Sequence, residues 1–204
     1  MKKIMYYTAI VAVLFAGSAQ AAESSASANQ VNNANIKSTL NATVAHVQDA
    51  VSLTSAAIGN TLTVDGGQAG YVSNTQVFRG DAVAELNGTL NDIDGKVDAT
   101  AAAIANSGTI NVNYAGSISN TQLASYDPTA RLNATVSGVG DDVSATAAAI
   151  SNSMTVTGDF GYLGSYQGNG AAVGAVANLS VSNVSGVVSA TSAAIGNTLT
   201  VKGF

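Results

Sequence analysis

Val143-Ser144-Ala145-Thr146-Ala147-Ala148-Ala149-Ile150 is the stretch whose reading decides the fold. With period two, Val143, Ala145, Ala147 and Ala149 share one face, and side chains this small suit a narrow β interior. A helical period competes. Upstream, Val44, Val47, Val51, Thr54 and Ile58 step by 3, 4, 3 and 4 residues, which marks an amphipathic helix of about four turns. Alanine favours the helix, whereas Val, Thr and Ser favour the strand. Thr61 to Val64, Thr109 to Val112, Met154 to Thr157 and Thr198 to Val201 alternate Thr or Asn with apolar residues and read as strands either way. The expectation is an all-β chain, a β-solenoid. The alternative is a repeat of a β-hairpin plus an amphipathic helix.

Working outward, the stretch recurs. Ile58, Ile104, Ile150 and Ile195 lie 46, 46 and 45 residues apart, and Thr54, Thr100, Thr146 and Thr191 are identical in every copy. Val51, Val97, Val143 and Val188 form another column, and Val47, Ile93, Val139 and Val184 a further one. Ser27, Ser73, Ser119 and Ser165 align, with Gln30, Gln76 and Gln122 three positions later; Gln167 comes one residue early. Four units, approximately 27–72, 73–118, 119–164 and 165–204, fill a repeat domain over 27–204, behind a short segment at 22–26.

Each unit also holds two asparagines in similar surroundings: Asn41, Asn60, Asn87, Asn106, Asn133, Asn152, Asn178 and Asn197. Their spacing alternates between 19 and 26 or 27, so each unit reads as two coils of about 23 residues. Equivalent amides stacked about 4.8 Å apart would bond to one another as a structural ladder. Asn is also a common turn residue, which leaves independent turns as the other explanation.

Composition narrows the function. The chain has 204 residues, 47% apolar, 5% aromatic and 9% charged, with no Cys and one His, His46. Thiol chemistry, disulfides and His-pair zinc sites are excluded. Seven basic residues against 12 acidic ones argue against nucleic acid, whose phosphates need a basic face. A mean hydropathy of +0.26 with little charge argues against disorder. Lys2 and Lys3 precede the apolar run Ala9 to Ala16 and the small residues Ala19 and Ala21, which reads as a secretory signal over 1–21 cut after Ala21. Location is then secreted or cell-surface, by a Sec-type route, with the periplasm open.

Site chemistry is sparse. Asp92-Ile93-Asp94-Gly95 with Asp98 lacks the further ligands of a calcium loop, and Asp141-Asp142 beside Gly140 reads as a polar turn. No catalytic residue, metal ligand or cofactor is expected, and the chain is not read as an enzyme. Tyr71, Tyr114, Tyr126, Tyr162 and Tyr166 lie on the variable arcs, as do Phe78 and Phe160, where aromatics either form a contact surface or fold back on a coil edge. The last unit ends in Thr198-Leu199-Thr200-Val201 with only Lys202 to blunt it, so these four residues are expected to be an assembly edge.

These features resemble bacterial surface-fibre subunits of the curli and Fap functional-amyloid type, and holdfast-anchoring proteins. Repeats carrying Ser, Gln, Asn and Gly at fixed offsets bear the resemblance; only Gly59-Asn60 and Gly196-Asn197 match the curli unit locally. The resemblance implies a secreted fibre or adhesive coat subunit without catalytic residues. The partners expected are copies of the chain itself, or cell-surface and matrix components. A secreted adhesin that binds carbohydrate or a host surface is the alternative.

Overall fold

A computed structural model describes residues 10–11, 15–19 and 25–203. The strands are β1 (Ile10–Val11), β2 (Phe15–Ala19), β3 (Ala26–Asn32), β4 (Ile36–Val47), β5 (Val51–Phe78), β6 (Ala82–Ile93), β7 (Val97–Ala124), β8 (Pro128–Val139), β9 (Val143–Phe160), β10 (Leu163–Asn169), β11 (Gly174–Val184) and β12 (Val188–Lys202). The expected signal, with its cut after Ala21, lies largely outside the described residues. All strand pairs are parallel. One sheet runs β1-β5-β7-β9-β12, with β10 on β7 and with β2 and β3 on β5; the other runs β11-β8-β6-β4.

Along β4–β6–β8 and β5–β7–β9, partners are 46 residues apart: Asn41 with Asn87, Asn87 with Asn133, Ile58 with Ile104. The repeat is therefore one layer, contributing one segment to each sheet level. That corrects the two-coil unit of about 23 residues, because Asn41 and Asn60 sit in different sheets rather than above one another. Layer 1 comprises 26–64, layer 2 72–110, layer 3 118–156 and layer 4 163–202; β5 and β7 are long because each passes from one layer into the next.

The helix-containing alternative is also corrected: no helix occurs among the described residues, and Val44 to Ile58 is the end of β4, a turn and the start of β5. The first step of its 3–4 spacing has a backbone cause, while Thr54 and Ile58 lie on the face opposite Val51. His46, Asp92 and Asn183 hold φ of 57°, 59° and 52°, and Gly138 holds 65° at the same column. One left-handed residue in an extended run turns the next side chain inward, so Val44 and Val47 both meet the core although three residues apart. Strict alternation holds in shorter runs: in β9 the residues from Val143 to Ala149 alternate between buried and half-buried, and the pattern breaks where Ser151 and Asn152 are both buried, as Ala105 and Asn106 are in β7.

The interior has two cores. One gathers Leu53, Leu86, Leu90, Ile93, Leu132 and the alanine columns between the two sheets; the other gathers Leu62, Val72, Ile110, Ile118 and Met154. Burying each large aliphatic chain contributes about 1.5–3 kcal/mol, and alanine lets the walls approach closely. Size compensates between layers: a Cβ on Gly108 would meet Met154 Sδ at 2.6 Å, so the methionine fills what the glycine leaves. Phe78 is fully buried, not on a contact surface. It lies against Gly59, where a Cβ would meet its Cδ2 at 2.6 Å.

The unit shortened by one residue changes register at Gly158. That residue has φ of 131°, and a Cβ there would collide with the Val112 carbonyl oxygen. Past it, partners are 45 apart. The expected Ser119–Ser165 column is corrected accordingly: Ser165 sits opposite Asn120.

Candidate functional site: amide columns and the open end

Asn60, Asn106, Asn152 and Asn197 form a chain of amide hydrogen bonds. Asn60 Nδ2 donates to Asn106 Oδ1 (2.8 Å), Asn106 to Asn152 (2.7 Å) and Asn152 to Asn197 (2.7 Å). Asn60, Asn106 and Asn152 are buried, and the second N–H of Asn106 and of Asn152 goes to the carbonyls of Leu123 and Gly168. Each interior amide is thus satisfied in a setting where an unpaired one would cost about 1–3 kcal/mol.

The second expected column behaves differently. Asn87 donates to Asn41 (2.9 Å), Asn133 to Asn87 (3.0 Å) and Asn178 to Asn133 (2.9 Å), all on the exposed face of the four-stranded sheet. With Thr43, Thr89, Thr135 and Ser180 they line a shallow open groove. Water competes for these groups, so this lane adds little stability and instead presents a regular polar surface.

The glutamines that share one offset in the sequence form a third ladder. Gln76 Nε2 donates to Gln30 Oε1 (2.8 Å), Gln122 to Gln76 (2.8 Å) and Gln167 to Gln122 (2.7 Å). Gln76 and Gln122 are buried, and each glutamine in the column also donates to a backbone carbonyl, of Thr61, Ser107, Ser153 and Thr198 in turn. Asn74 and Asn120 make a shorter chain that ends on Ser165 Oγ (2.9 Å).

The expected assembly edge lies in β12, which pairs with β9 on one side. Thr198, Leu199, Thr200 and Val201 stand opposite Ser153, Met154, Thr155 and Val156. Leu199 and Val201 are exposed, and so are Val187, Val188 and Ile195. Val188, Leu199 and Val201 occupy core columns, opposite Val143, Met154 and Val156, with no layer beyond them among the described residues; Ile195 continues the half-buried, outward-facing column of Ile58, Ile104 and Ile150. Tyr71, Tyr114, Tyr126, Tyr162 and Tyr166 are all exposed too, while Phe160 packs half-buried on the second core.

Among the described residues no charged side chain is buried. Lys37 Nζ lies 2.9 Å and Arg131 Nη1 3.8 Å from the Glu85 carboxylate; the Lys37 hydrogen bond, foremost, holds the Glu85 carboxyl below its usual range. Asp98, 3.0 Å from Lys96, raises that ammonium above its usual range. His46 Nδ1 lies 2.6 Å from Asp92 Oδ2 in the exposed left-handed column. Among the described residues no three His, Cys, Asp or Glu side chains gather as a metal site.

Residues 45–203 match the family HfaD, holdfast attachment protein D. No curated protein and no solved structure matches the chain.

Proposed function

The chain belongs to the holdfast attachment protein D family, which ties it to adhesion at the cell surface, and from that premise we propose that it is a β-solenoid subunit of an extracellular fibre, coat or adhesive layer. Four stacked layers build a rod, and strand-edge association of rods builds the assembly. The reading gives the protein no catalytic role: its polar interior serves cohesion. Export through the signal over 1–21 brings it to the surface.

One observation carries the proposal. Layer 4 exposes Val188, Leu199 and Val201 at the very columns that form the core one layer earlier. An apolar end of a parallel sheet with free backbone groups invites another chain. Electron microscopy of the purified exported protein should show filaments or long rods. Deleting 198–204, or combining Leu199→Lys with Val201→Lys, should abolish long assemblies and leave a folded monomer. Filaments that persist in both variants would sink the reading.

The exposed groove favours a second reading, an adhesin that holds carbohydrate along the Asn41, Asn87, Asn133 and Asn178 lane. Asn87→Ala with Asn133→Ala should then lower retention on surface polysaccharide while leaving assembly unchanged. Equal retention would set this reading aside.

A further inference from the structure

The two end layers are alike where the inner layers are not. Thr54-Ser55-Ala56-Ala57-Ile58-Gly59-Asn60-Thr61-Leu62-Thr63-Val64 in layer 1 is identical, residue for residue, to Thr191–Val201 in layer 4. The inner layers differ from both at four columns: Ala101 and Ala147 replace the serines, Ala105 and Ser151 the glycines, Ser107 and Ser153 the threonines, and Gly108 and Met154 the leucines. Asn32 and Asn169 are also shared by the ends, against Phe78 and Ala124 inside. Each of these end asparagines accepts from the backbone N–H two residues on, Ala34 and Ala171.

The hydrogen-bond columns have a direction, and their ends are complementary. In the Asn60 column donors point toward layer 4, so Asn60 presents Oδ1 at the layer 1 end. At the other end, Asn197 Nδ2 donates only to the Gln167 carbonyl among the described residues. In the glutamine column donors point toward layer 1. Gln30 Nε2 donates only to the Thr61 carbonyl among the described residues, and Gln167 presents Oε1 at the far end. The Asn41 column runs the same way as the glutamines, leaving Asn41 Nδ2 at one end and Asn178 Oδ1 at the other.

From these observations we infer that layer 4 of one copy stacks on layer 1 of the next in a single register, with Thr191–Val201 parallel to Thr54–Val64. This deepens the assembly reading and rests on it. In that register Asn197 Nδ2 meets Asn60 Oδ1, Gln30 Nε2 meets Gln167 Oε1 and Asn41 Nδ2 meets Asn178 Oδ1, a donor facing an acceptor in all three columns. Leu199 covers Leu62 and Val201 covers Val64, so the exposed apolar column of layer 4 becomes core. A slip by one residue would turn every side chain to the wrong face, and a slip by two would break all three amide contacts.

The layer 1 side of this junction has an occupant within the chain. The backbone of Phe15–Ala19 runs parallel to Asn60–Val64, pairing Phe15 with Asn60 and Ala19 with Val64. That is the edge the next copy needs. While residues 15–19 remain, the rod can grow only from layer 4; their removal opens layer 1.

Cysteine pairing tests the register, since the chain has no cysteine. Thr63 and Thr200 share one column through Thr109 and Thr155, so across the junction their Cα atoms would sit about 4.8 Å apart, within disulfide reach. Exported protein carrying Thr63→Cys and Thr200→Cys, its N-terminus fixed by intact mass, should give a ladder of disulfide-linked oligomers on mild oxidation. That yield should exceed by tenfold the yield from Thr61→Cys with Thr200→Cys. The same pair in full-length chain that retains residues 1–21 should stay monomeric. Hydrogen exchange on the unsubstituted protein gives an independent reading: assembly should protect 54–64 and 191–201 together. Filaments that link best in the slipped pair, or through Thr200→Cys alone, would overturn this register while leaving assembly intact. Absence of any oligomer by microscopy and sedimentation would overturn both.

Discussion

Val143, Met154 and Val156 in β9 are 1%, 1% and 0% exposed, whereas Val188, Leu199 and Val201, their partners in β12, are 44%, 43% and 45% exposed. The residue types barely change between the two strands, and the columns are the same. What changes is the number of neighbouring layers. Burial in this chain is a property of position along the stack, and the hydrophobic contribution of a column is complete only when a layer lies on both sides.

Substitutions in one column at two layers should therefore differ sharply. Val156→Lys places a charge in the core without a partner, and unfolding free energy should fall by more than about 3 kcal/mol. Val201→Lys should change the monomer by less than about 0.5 kcal/mol and act on assembly instead. Chemical denaturation of the dispersed monomer reads both. Similar losses in the two variants would mean that layer 4 is covered within the monomer.

The amide columns sharpen the contrast. Asn106→Ala and Asn152→Ala each strand two neighbouring amides and a backbone carbonyl, at about 1–3 kcal/mol for a buried unpaired group. Each should lower the melting temperature without blocking secretion. Asn197→Ala, at the exposed end, should cost under about 1 kcal/mol, as water replaces what is lost. Unchanged melting in the two interior variants would show that the amides are dispensable.

How far this arrangement was legible depends on which signal each part left in the sequence. Identity at a fixed offset exposed the layers, since parallel in-register pairing places like on like, as with Ile58, Ile104 and Ile150. The height of the unit was misread because Asn41 and Asn60 resemble each other locally while facing different environments, exposed sheet and buried corner. The helical spacing misled for two reasons: the left-handed residue at His46 and its equivalents turns Val47 to the face of Val44, and Thr54 and Ile58 face away from the core that holds Val51, which only the backbone reveals. The glutamine column was hidden by the missing residue near Gly158, which moved Gln167 out of line until the register shift restored it.

Glycine at the two ends offers a smaller test. Gly59 and Gly196 are the same residue in the same column, yet a Cβ on Gly59 would collide with the Ala105 carbonyl oxygen and meet Phe78 Cδ2 at 2.6 Å, whereas one on Gly196 would meet only Asn169 Nδ2 at 3.4 Å. Gly59→Ala should cost about 1–3 kcal/mol through overpacking. Gly196→Ala should leave the monomer within about 1 kcal/mol of the parent, helped by a less flexible unfolded chain. Thermal melts of the two variants compare them directly, and an equal loss would mean that both Phe78 and the Ala105 backbone yield to the added methyl.

The smallest effect belongs to the charged column Thr39, Glu85, Arg131 and Val176, where the inner layers carry the charges and the end layers are neutral. A junction between copies therefore brings Val176 against Thr39, with no like charges opposed. Within the chain, Glu85 is held by Lys37 at 2.9 Å, by Arg131 at 3.8 Å and by the Thr39 hydroxyl at 3.4 Å. Its folded-state pKa is lowered, first by the Lys37 hydrogen bond. The stabilisation is therefore fully present above the ordinary carboxylate value and disappears as pH falls through the lowered one. Glu85→Gln should cost less than about 1 kcal/mol at neutral pH and low salt, as rim ion pairs do, and the difference should shrink in high salt as screening shortens the reach of the charges. Denaturation of parent and variant should converge once pH lies below the folded-state pKa. A difference that persists there would mean that Glu85 acts through packing of its stem rather than through its charge.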